Sequence, residues 1–153
     1  MMALHTNKDS AHIMHLIRKN TIGAEIGVWM GNTSTQFLKK GLKKFYMVDP
    51  YSVEPYKNSS EMTYQEWLAK YQPITGEIAE AGFQKFYERV WKEIKSRFEH
   101  MNEVELCRET SDSFFERYLA SKGHGNFEML DWIYIDGNHS YEQCIKDLKT
   151  VSY

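Results

Sequence analysis

The stretch Ala24-Glu25-Ile26-Gly27-Val28-Trp29-Met30-Gly31-Asn32-Thr33-Ser34 decides the fold. Residues 24 to 29 form a short, mostly apolar run of the length of a buried strand. Gly31 and Asn32 tolerate left-handed backbone angles, so a tight turn follows. Thr33, Ser34 and Thr35 are residue types that cap a helix, which runs to about Lys40 and ends at Gly41. A strand that turns directly into a helix is the repeating unit of an α/β chain.

The same pattern recurs on both sides. Upstream, Ser10 is an N-cap candidate for a helix over 10–20, with Ile13, Met14, Leu16 and Ile17 as its apolar stripe. Downstream, Lys44 to Val48 reads as a second strand, stopped at Asp49-Pro50. Val104 to Cys107 is a third. Leu130 to Ile135 is a fourth, almost continuously apolar, as in a strand buried on both faces and flanked by neighbours. Between them lie a helix from Phe83 with an apolar face to Phe98, and a helix after the capping-box pair Ser113 and Glu116, broken by Gly123 and Gly125. A last helix over 140–149 carries Tyr141, Cys144, Ile145 and Leu148. The order predicts α/β architecture, a Rossmann-like parallel sheet with flanking helices.

Residues 51–82 break the rhythm. They hold Pro55 and Pro73, and Thr63 with Glu66 has capping-box spacing ahead of a short helix. Long insertions of this kind are often lids, so 51–82 is read as an acceptor-binding lid within a single domain over 1–153.

Composition removes several function classes. The 153 residues carry 19 Lys and Arg against 21 Asp and Glu, a net charge of −2, so no basic surplus exists for nucleic acid. No apolar run is long enough to span a membrane, and no signal peptide is evident at the amino terminus. The two cysteines, Cys107 and Cys144, are too few and too far apart for a disulfide framework and read as small core residues. These features predict a cytoplasmic protein.

In a parallel sheet, ligands bind beyond the carboxyl ends of the strands. Those ends carry Gly27, Asp49, Thr110-Ser111 and Asp136. Gly27 lets a ligand approach the backbone, and Gly31 opens a helix whose free N–H groups can meet a polar group. The Gly-x-x-x-Gly spacing is neither the dinucleotide fingerprint nor a phosphate-binding Walker loop. Asp49 can accept both hydroxyls of a ribose, ends a strand and supports no core. In Asp136-Gly137-Asn138-His139, a carboxylate and an imidazole at this spacing suit a divalent ion plus a general base. Asp131 and Glu142 read as solvated. No Gly-x-Ser-x-Gly elbow supports a hydrolase.

These three motifs, in this order, resemble the class I S-adenosylmethionine (SAM)-dependent methyltransferases. Asp136-Gly-Asn-His139-Ser-Tyr-Glu is similar to the small-molecule O-methyltransferase branch that includes the metal-dependent macrolide-sugar enzymes. The resemblance implies that Glu25, Gly27 and Gly31 meet the methionine end of SAM and that Asp49 holds the ribose. Ser111 and Asp112 sit where the family contacts adenine. It further implies that Asp136 binds magnesium and that His139 is the base for an acceptor hydroxyl on a sugar or glycosylated product. Tyr51, Trp67 and Tyr71 then line the acceptor pocket. The family's sheet has seven strands, and two further metal-binding acids come from the strand after the last helix seen here. The chain stops at Tyr153. The expectation is a fragment of a longer protein, or a short chain that hides the open edge of the fourth strand in a homo-oligomer. A NAD-linked oxidoreductase and a non-catalytic remnant that binds a nucleoside or a partner chain are the rival readings.

Overall fold

A computed structural model describes residues 13–57, 62–76, 79–121, 128–137 and 141–151. The chain runs β1 (Ile22–Ile26), α1 (Asn32–Leu38), β2 (Lys44–Val48), α2 (Tyr64–Thr75), α3 (Glu80–Phe98), β3 (Val104–Cys107), α4 (Ser111–Ser121), β4 (Trp132–Ile135) and α5 (Tyr141–Val151). All strand pairs are parallel, and the sheet order is β3-β2-β1-β4. The chain builds outward from β1 to β3 and then returns to the other side of β1. The sheet order therefore switches between β1 and β4, where parallel sheets open a crevice.

Strand alternation sorts the core into two layers. On one face Phe45 and Met47 join Phe37 of α1 and the Phe83–Phe98 stripe of α3. On the other, Ile22, Ala24, Ile26, Tyr46 and Val48 meet Phe114 and Phe115 of α4. Gly23 lies on the first face, where a Cβ would fall 2.1 Å from the Trp132 indole. The indole occupies that space over β1, so glycine is required there.

Several elements differ from the sequence reading. Residues 13–20 form turns rather than the end of a helix. Asn20 takes a left-handed φ of 61° and Leu16 is 65% exposed, while Ile13, Met14 and Ile17 reach the core from these turns. β1 begins at Ile22 and ends at Ile26, because Gly27 and Trp29 have φ of 93° and 50° and leave the extended region. The N-cap of α1 is Gly31, not Thr33, Ser34 or Thr35, which lie inside the helix. α4 starts at Ser111, where the Thr110 hydroxyl accepts the Ser113 N–H at 3.3 Å, so Thr110 performs the capping expected of Ser113. β4 is shorter than expected and half-buried. Among the described residues it pairs with β1 alone. The Thr63–Glu66 capping box is present in full.

Candidate functional site

Gly27, Asp49 and Asp136 directly follow β1, β2 and β4, and the loops after β1 and β4 touch. A Cβ on Gly27 would lie 2.4 Å from the Asp136 carbonyl oxygen and 2.5 Å from Gly137 Cα. With φ at 93°, the position excludes other residues on both counts. Glycine at 31 is favoured by its left-handed φ of 71°, and a Cβ there would also press on Ile94 Cδ1 of α3 at 2.8 Å. The sequence credited Gly27 to ligand approach and Gly31 to a left-handed turn that opens the helix, and Gly31 is indeed a left-handed N-cap. For Gly27 the structure supplies a reason internal to the fold.

Glu25 is buried within β1 and faces α1, where the Ser34 hydroxyl donates to its carboxyl. Burial pushes this carboxyl up to about 8. The Ser34 bond pulls the other way, and the negative charges of Asp136 and Asp49 add to the rise. Folded, the group keeps its proton to about pH 8, whereas unfolded it ionises near 4.5. Between those values the folded chain binds more protons, so stability falls as pH rises from about 4.5 to about 8. Glu25→Gln removes this titration. Urea unfolding is expected to show the variant gaining on wild type across that window by on the order of a few kcal/mol. A gap that does not vary with pH would show Glu25 to be an ordinary carboxylate.

Asp49 departs from its expected place. It is 8% exposed and supports the loops around it. Its Oδ2 accepts the Trp29 N–H at 3.0 Å and its Oδ1 the Tyr51 N–H at 2.8 Å. Burial raises its pKa against these backbone bonds. Tyr51 is also buried, and its hydroxyl donates to the Trp29 carbonyl at 3.1 Å. It cannot line an acceptor pocket in this arrangement.

The 51–82 segment rests on α3 through aromatic rings. Trp67, also buried, stacks on Tyr56 at 4.4 Å and packs against Phe83 at 5.0 Å, so it belongs to the core rather than to a pocket wall. Tyr71 is half-buried and meets Trp29 at 6.4 Å. The segment thereby reaches the loop that follows β1.

Ser111 and Asp112 face α5. Gln143 Nε2 donates to Ser111 Oγ at 3.1 Å, to Asp112 Oδ1 at 3.4 Å and to the buried Asp147 at 2.8 Å, and Lys146 pairs with Asp112. Both side chains are engaged in joining α4 to α5. Cys107 is buried, as expected of a core residue. Asp131 is exposed as expected, yet its carboxylate accepts the Ile22 N–H at 2.7 Å and holds the start of β1.

Asp136 is half-buried and anchored through its N–H to the Ile26 carbonyl at 2.7 Å. His139 lies outside the described residues, as do the side chains of Glu142 and Cys144. Among the described residues, no three His, Cys, Asp or Glu side chains stand together as ligands for a metal ion. The magnesium expected at Asp136 therefore has no ligand set among the described residues. No described helix is long and apolar enough to cross a membrane. Sequence reading missed Arg97 of α3, which reaches the loop after β1 and donates to the Met30 carbonyl at 2.8 Å. Its only sequence signal was a charge beside the apolar stripe of α3.

A family model described as a methyltransferase domain matches residues 24–152. No curated protein matches the chain.

Proposed function

The chain belongs to the methyltransferase-domain family, and we propose on that premise that it transfers the methyl group of SAM to a hydroxyl of a small molecule, a sugar or glycosylated product. One observation carries the SAM reading. Glu25, Asp49 and Asp136 bring three carboxyl groups to the adjoining ends of β1, β2 and β4, beside the point where the strand order of the parallel sheet reverses. SAM carries a sulfonium and an ammonium, and a low-dielectric site with acidic walls favours such a ligand. An ammonium beside Glu25 would draw its raised pKa back down, since an opposite charge favours the ionised form. Asp49 would keep its two backbone bonds and offer its remaining lone pairs to the ribose.

SAM supplies an activated methyl group, so the protein's part is to position the acceptor and remove its proton. Bound SAM would give its methyl to the acceptor oxygen and be left as S-adenosylhomocysteine, and the imidazole of His139 would accept the hydroxyl proton. Tyr71 and Trp29 are half-buried rings in contact beside the loop after β1 and would face the acceptor.

Calorimetric titration with S-adenosylhomocysteine and NADH side by side tests the reading. Saturable binding of S-adenosylhomocysteine, with none of NADH, is the expected result. Binding of NADH alone would turn the reading to an oxidoreductase. Binding of neither would remove the nucleoside site altogether.

A further inference from the structure

We propose that Tyr51 and Arg97 are positioning residues that hold the loop between β1 and α1 in its binding shape, an inference that rests on the SAM reading above. Three successive carbonyls of that loop are each held by a side chain from a different element. The Trp29 carbonyl accepts the Tyr51 hydroxyl at 3.1 Å. The Met30 carbonyl accepts Arg97 Nη1 at 2.8 Å. The Gly31 carbonyl accepts the Thr35 hydroxyl at 2.8 Å, and Arg97 Nη2 donates to that same hydroxyl at 3.1 Å. Asp49 takes the Trp29 N–H from the opposite side.

The loop needs holding. Trp29 and Tyr51 both sit at positive φ, 50° and 48°, a conformation that side-chain-bearing residues adopt only where their surroundings over-determine it. The clamp spans distant parts of the chain: Tyr51 follows β2, and Arg97 lies near the end of α3 with its guanidinium 4.7 Å from the Phe98 ring centroid. Arg97 uses the forked geometry of its guanidinium, one nitrogen on a carbonyl and the other on a hydroxyl, which a lysine cannot reproduce. Tyr51 is buried, and burial keeps its phenol protonated and therefore a donor. These bonds converge on the loop that runs from Gly27 to α1.

Tyr51→Phe removes one hydroxyl and keeps the ring. Its affinity for S-adenosylhomocysteine is expected to fall about tenfold, with the melting temperature of the unliganded chain lower by no more than about 4 °C. Hydrogen exchange at the amides of residues 29–31 is expected to quicken in the unliganded variant, while exchange in the strands stays as in wild type. A merely structural role would lower the melting temperature and leave the affinity of the folded chain alone. Arg97→Lys keeps the charge, loses the fork, and is expected to show the same signature. If either variant folds and binds S-adenosylhomocysteine as tightly as wild type, the clamp is refuted. If wild type itself does not bind it, the SAM reading fails first.

Discussion

Replacing His139 by alanine is expected to slow methyl transfer by about 10²–10⁴-fold while leaving affinity for S-adenosylhomocysteine unchanged. The size follows from the chemistry of the step. A neutral hydroxyl is a poor nucleophile, and a base at hydrogen-bond reach takes its proton as the C–O bond forms. A positioned imidazole performs this near neutral pH without reorganisation. The residue follows Asp136 by three positions in the sequence, and Asp136 itself directly follows β4, the strand that pairs with β1. Affinity is spared because the cofactor contacts proposed above rest on the carboxyl groups of Glu25, Asp49 and Asp136 and not on the imidazole. Single-turnover kinetics with saturating SAM would measure the chemical step alone. A variant that turns over at the wild-type rate would reduce His139 to a helix cap.

Asp49→Ala should damage both binding and folding. The sequence placed this residue at a strand end without a core to support, which would make the substitution harmless to the fold. The structure reverses that, because the carboxylate is buried and is the acceptor for two backbone N–H groups. Removing it strands both donors in a low-dielectric site, at about 1–3 kcal/mol each. It also releases the left-handed turns at Trp29 and Tyr51. Any ribose bonds to the carboxylate disappear as well, each worth about 1.5–3 kcal/mol. Urea unfolding should show a lower midpoint, and calorimetry should show S-adenosylhomocysteine binding weakened by at least about tenfold. Asp49→Asn keeps one acceptor oxygen and sets an NH₂ against the other amide. It should therefore fall between alanine and wild type in stability. An alanine variant with wild-type midpoint and wild-type affinity would remove Asp49 from both roles.

The two substitutions separate the halves of the proposed mechanism. His139→Ala acts on the proton and spares the pocket, whereas Asp49→Ala acts on the pocket and the loop that shapes it. The clamp formed by Tyr51 and Arg97 belongs with Asp49, since all three act on main-chain groups of residues 29 and 30. Asp49 is the more sensitive position because both of its oxygens are occupied by backbone donors.

By itself the sequence determined the alternation of strands and helices, the parallel class of the sheet, and the strand ends at which acidic residues gather. Those features are local. Phe45 and Met47 against Tyr46 and Val48 follow the two-residue period of a strand, and the stripe from Phe83 to Phe98 follows the turn of a helix. The Thr63–Glu66 box was legible for the same reason, since its partners lie three residues apart. Residues 13–20 were misread as helical because Ile13, Met14 and Ile17 reach the core from turns, and a short apolar stripe does not distinguish the two. Only the tertiary structure decided why residues 23 and 27 are glycine, because the atoms that exclude a side chain there belong to Trp132 and Asp136, far along the chain. It also decided that Asp49 and Tyr51 are buried supports rather than open ligands, and that Arg97 reaches the loop after β1. Such contacts arise where the ends of separate elements meet, and residue spacing along the chain carries no signal of that meeting.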